Sequence, residues 1–119
     1  MRNRMSKITP IVPTNDLGAS ANFYTNLGFE VVHAHGDYMI LQRDDIGLHL
    51  TWSAGWHIDP KTNNTQFRIN ISDIDSFYAH CRRLDVVHPN GSMETKPWGS
   101  KEFAVLDPDH ACITFYEEV

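Results

Sequence analysis

The chain has 119 residues, 41% hydrophobic and 21% charged, and fifteen acidic against ten basic side chains give a net charge of −5 with His neutral. That profile suits one globular domain of about 100–150 residues and argues against a disordered chain. It disfavours a nucleic-acid partner, which calls for a basic patch, and no apolar run is long enough to cross a bilayer.

The opening MRNRMSKITP is positively charged but no apolar stretch follows it. A secretory leader is not expected, and the expected location is the cytoplasm. Residues 8–13 predict a short strand. Asp16 then predicts a helix N-cap, with the helix running to Leu27 and Gly28 as its stop. Leu17, Ala21, Tyr24 and Leu27 share one face of that helix. Strands follow over 29–35 and 38–43, turned by Gly36-Asp37, and a third over 46–52 after Asp44-Asp45.

Residues 54–65 carry Gly, Pro, Asn and Thr without periodicity and predict a loop between two halves. The order then recurs. Residues 66–72 alternate as a strand, and Asp73 predicts a second helix with Ile74, Phe77, Cys81 and Leu84 on one face. A strand over 86–92 interrupted by Pro89, a strand over 101–106, a turn at 107–110 and a last strand over 111–117 complete the chain. Eleven residues separate Asp16 from Leu27 and also Asp73 from Leu84. Two βαβββ units, about 8–53 and 66–117, within a single domain spanning 1–119 are therefore expected, in an α+β fold made by internal duplication. Cys81 and Cys112 form no CxxC pair and fall within regular elements, where reduced thiols packed as small hydrophobes are expected.

Alternation assigns faces. Leu48, Leu50 and Trp52 oppose Gly47, His49 and Thr51. Phe67, Ile69 and Ile71 oppose Gln66, Arg68 and Asn70. Ala111, Ile113 and Phe115 oppose Cys112, Thr114 and Tyr116. The apolar faces suit cover by the two helices. The mixed faces either meet water, as in most antiparallel sheets, or line a small-molecule cleft.

The segments IVPTNDLGASANFYTNLGFEV, DYMILQRDDIGLHL and PWGSKEFAVLDPDHACITF resemble the vicinal-oxygen-chelate superfamily of glyoxalases, bleomycin-resistance proteins and extradiol dioxygenases. The resemblance covers about residues 8–117 and is greatest to the bleomycin-resistance members. It implies a curled, cup-shaped mixed sheet with helices on its outer face. It also implies a homodimer, in which two chains complete a cleft and often exchange units. Many members hold a divalent metal on strands one, four, five and eight, where this chain carries Thr9, His49, Gln66 and Thr114. Only His49 is a good ligand for a transition metal, so neither a metal site nor a cofactor is expected. His33 and His35 share a strand face but lack a third partner in sequence.

Without that Lewis acid the resemblance implies binding rather than chemistry: sequestration of a bleomycin-like antibiotic between two chains. By position, Tyr38, Trp52, Trp56 and Trp98 are the candidate aromatic contacts. Arg68, Asn70, His49 and Thr114 are the candidate polar contacts, with Arg68 either open to an acidic ligand or paired with a nearby carboxylate. The alternative is a glyoxalase- or dioxygenase-like enzyme using a metal or His49 as a general base.

Overall fold

Asp16 starts the first helix as its spacing predicts: its side chain accepts a hydrogen bond from Ala19 N, and Gly28 ends the helix at φ +98°. The computed structural model describes residues 2–119. In chain order the elements are β1 (Ile11–Thr14), α1 (Leu17–Asn26), β2 (Glu30–His35), β3 (Tyr38–Arg43), β4 (Ile46–Trp52), β5 (Gln66–Asn70), α2 (Ile74–Arg83), β6 (Glu94–Thr95), β7 (Ser100–Leu106) and β8 (Cys112–Glu118). The α+β expectation holds. The strands form two mixed four-stranded sheets, ordered β1-β4-β3-β2 and β5-β8-β7-β6. In each, the strand before the helix pairs parallel with the last strand of its half. Among the described residues no ladder joins the two sheets, so each half contributes one open sheet.

Each sheet buries one face. Leu48 and Leu50 of β4, Leu41 of β3, and Phe103, Val105, Ile113 and Phe115 of the second sheet join Tyr24, Leu27, Ile74, Phe77 and Cys81 from the helices in one core drawn from both halves. Both predicted helix faces are thus turned inward. The seam between the halves is also tied by polar contacts. Tyr24 donates to Asp107 at 3.0 Å, buried Thr14 donates to Asp109 at 2.6 Å, and His80 donates to the carbonyl of Asn26 at 2.8 Å. Arg43 donates to Leu27 O at 2.8 Å and lays its guanidinium 5.1 Å from the centre of the Phe77 ring.

Three predicted elements differ. The first strand starts at Ile11 rather than residue 8, and Ile8 is 94% exposed. Asp73 precedes α2 in a left-handed conformation, and its side chain does not cap the helix. The Glu117 carboxylate on β8 instead accepts from the backbone N–H groups of Asp73 and Ile74. The strand over 86–92 does not form. Only Val87 makes a bridge, to Val105, and the last edge strand is the two-residue β6. Pro89 has no N–H to give a ladder, and the following turn brings Gly91 so close to β7 that a Cβ there would lie 2.9 Å from Ala104.

Candidate functional site

The faces turned away from the helices carry most of the predicted site residues, in two separate groups. On the second sheet, parallel pairing sets Arg68 beside Thr114 and Asn70 beside Tyr116, and antiparallel pairing sets Glu102 across from Tyr116. Arg68 reaches across β8 to grip Glu102 through two hydrogen bonds, Nη1 to Oε1 at 3.1 Å and Nη2 to Oε2 at 2.8 Å. The same guanidinium lies 4.5 Å from the centre of the Tyr116 ring. Arg68 therefore has a carboxylate partner and still borders the open face, where it is half exposed.

Trp98 joins this group from the turn before β7. Gly99 at φ +88° allows that turn, which closes through hydrogen bonds from Gly99 N to Lys96 O at 3.0 Å and from Lys96 N to Ser100 O at 2.7 Å. The indole is 68% exposed, and its Nε1–H donates to Glu102 Oε2 at 3.0 Å. Ser100 donates to the same oxygen. Glu102 is 5% exposed and thus accepts from three side chains. The Arg68 hydrogen bonds, followed by those from Ser100 and Trp98, hold its pKa down to about 2 against the opposing effect of burial. Arg68 is held above its ordinary value by the same contact. Arg68, Trp98, Ser100 and Tyr116 line a cavity of about 320 Å³, with Glu118 and Val119 at its margin.

The other group lies on the first sheet. Tyr38 of β3 and His49 of β4 are both half-buried, and the Tyr38 hydroxyl is 2.7 Å from His49 Nδ1. Asn70 donates to Tyr116 O at 3.2 Å and lines a different opening, of about 590 Å³, with Arg68, Arg43, Asp44 and Asp45. Two aromatic candidates stand apart from both groups. Trp52 ends β4 on the same side as Leu48 and Leu50, the face opposite His49, and Trp56 is 83% exposed in the loop after β4. That loop is anchored by Asn15, which bonds both the N–H and the carbonyl of Ile58.

The four positions at which the resemblance implies a metal in many members carry one good donor here, His49. The β1–β4 register places Ile11 beside His49, and Thr9 lies before the strand. Gln66 and Thr114 supply only weak oxygen donors, and no three His, Cys, Asp or Glu side chains converge among the described residues.

Glu102, Ser100 and Tyr116 are the members of the site that the sequence-based reading did not single out. The available signal was an Arg on a mixed strand face in need of a carboxylate. Which carboxylate depends on a diagonal reach across β8, between residues 34 positions apart.

Residues 5–118 match the model of the Glyoxalase/Bleomycin resistance protein/Dioxygenase superfamily. The chain belongs to this superfamily. Among its members, a bleomycin resistance protein of Geobacillus stearothermophilus is 30% identical, over 97% of this chain and 98% of that protein. One of Klebsiella pneumoniae is also 30% identical, over 85% and 83%. Two solved structures share the fold closely. A bleomycin resistance determinant encoded on the transposon Tn5 superimposes with a TM-score of 0.83 at 27% identity, covering 96% of this chain and 98% of that one. A bleomycin-binding protein in complex with bleomycin gives 0.80 at 26% identity, over 97% and 100%. The glyoxalase and bleomycin-resistance fold that the sequence motifs resemble is thus the fold of this chain.

Proposed function

We propose that this protein sequesters a bleomycin-like antibiotic, without a metal of its own, in clefts completed by a second copy of the chain. The observation that carries the reading is the Arg68–Glu102–Trp98–Tyr116 group on an open sheet face. It offers two aromatic rings beside an ion pair whose charges cancel. A lone guanidinium would repel a cationic drug, and one neutralised by Glu102 does not. The relatives named for bleomycin resistance, and the fold shared with a protein in complex with bleomycin, support the same ligand class.

The dimer rests on two features. Tyr38 and His49 lie on one sheet and Arg68 and Trp98 on the other, so a second copy that faces one sheet with the other would bring them together. The chain also exposes 7914 Å², where a compact monomer of its mass exposes roughly 6,600 Å². That excess exceeds the ~800 Å² each partner buries in a standard interface. Ile11 and Val32 are more than half exposed, and Met5 and Ile8 almost wholly so. Each chain is read as one domain of two βαβββ units. A cytoplasmic location is part of this reading, and, separately, no described helix is long and apolar enough to cross a membrane.

Equilibrium dialysis against metal-free bleomycin, combined with sedimentation to count chains, tests the proposal. A dimer that retains about one drug per chain is expected. A monomer with no retained drug would refute it.

A further inference from the structure

The geometry points to Glu102 as the positioning residue of the ligand cleft, fixing Trp98 and Arg68 in the orientations that binding needs; this inference rests on the sequestration reading above. Trp98 stands on a four-residue turn with two-thirds of its surface in solvent, so packing does little to hold the indole. Its one side-chain hydrogen bond goes to Glu102. Lys96 lies 6.0 Å from the indole and adds only a weak cation–π attraction. Arg68 is likewise half exposed, and its fork is closed by the two oxygens of Glu102.

Glu102 itself has little freedom. It sits on β7, opposite Tyr116 in a regular ladder, almost wholly buried, with Ser100 donating to it from two residues back on the same strand. A rigid carboxylate thus sets an exposed ring and an exposed cation. Ordering both before the ligand arrives reduces the entropy lost on binding. An alanine leaves three donors without an acceptor. A glutamine keeps the volume but offers one acceptor oxygen where Arg68, Ser100 and Trp98 together use two.

The test uses the full chain carrying W52F and W56F, so that emission reports Trp98. It compares Glu102, E102Q and E102A for Trp98 anisotropy and acrylamide quenching without ligand, and for affinity toward metal-free bleomycin. Anisotropy is expected to fall, and quenching to rise, in the order parent, E102Q, E102A. Bleomycin affinity is expected to drop about tenfold in E102A and less in E102Q. Circular dichroism checks that each variant is folded, and E102Q carries the comparison should E102A not fold. Unchanged Trp98 anisotropy in a folded variant would overturn the positioning role. So would a looser Trp98 with full affinity. A chain with all three tryptophans that does not bind bleomycin would instead remove the sequestration reading, while the ligand-free anisotropy would still decide whether Glu102 orders the indole.

Discussion

Tyr24 of α1 and Asp107 of the β7–β8 turn meet across the seam between the two halves, the phenol donating to Oδ2 at 3.0 Å with both side chains buried. Asp107 Oδ1 accepts from the backbone N–H groups of Asp109 and Ala111, so one carboxylate closes the turn and anchors the first helix. Burial raises the pKa of Asp107 and, with the nearby carboxylate, that of the Tyr24 phenol.

Replacing Tyr24 with Phe removes that bond and leaves Oδ2 short of a donor. A hydrogen bond to a buried charged group is worth about 1.5–3 kcal/mol. Y24F should lose stability in that range, with a lower thermal midpoint and an unchanged fold. Urea unfolding followed by circular dichroism measures it. A loss under about 0.5 kcal/mol would show that the seam does not depend on this bond.

The pH dependence of stability should carry the signature of Glu102. Its pKa is lowered from 4.5 to about 2 in the fold. A lowered carboxyl pKa stabilises the native state above the unfolded value and loses that contribution as pH falls through the folded value. Stability should therefore decline between pH 4.5 and 2. Asp107, with its raised pKa, contributes in the opposite sense, losing stability as pH rises above its unfolded value. The difference between the parent and E102Q isolates Glu102 and should shrink steadily across the acid window. A difference independent of pH there would contradict the assigned pairing with Arg68.

Cys81 is buried in the core and its thiol is pushed up to about 12, chiefly by burial. Thiolate is the reactive form, so Cys81 should resist thiol reagents at pH 8 until the chain is unfolded. Cys112 is also raised by burial, but it is half-buried on the open face of β8 and should react first, slowly. Mass spectrometry of labelled peptides distinguishes the two sites. Early labelling of Cys81 would mean that the core opens locally.

Trp98→Ala should leave the melting temperature within about 2 °C of the parent, since the ring is exposed. Its loss of affinity for metal-free bleomycin should reach about 2 kcal/mol, roughly thirtyfold, as for a central aromatic contact. Calorimetric titration measures the change. Equal affinity would move the binding site away from the Glu102 cavity.

Much of the fold was legible because local chemistry and burial agree. Asp16 and Gly28 bracket α1 at its observed ends, and alternation from Ile46 to Trp52 gives the bounds of β4 and buries Leu48 and Leu50. Residues 86–92 misled because Val86 and Val87 pack on the core like strand residues while Pro89 and Gly91 prevent a ladder. Trp52 has the parity of a core residue, but it is the last residue of its strand and is 43% exposed. Of the candidate site, Arg68 and Trp98 fall in one group on the second sheet and Tyr38 and His49 in another on the first. Glu102, which joins Arg68 to Trp98, was hidden because its partners come from β5 and from the turn before β7, a relation that only the sheet order β5-β8-β7 creates.

Titration of tryptophan emission with metal-free bleomycin reads drug sequestration in the intact protein. Saturable quenching is predicted, with about one drug per chain and a dissociation constant of about 1 μM or below, equivalent to roughly −8 kcal/mol. A linear or absent response, together with no retention of drug in dialysis, would contradict it.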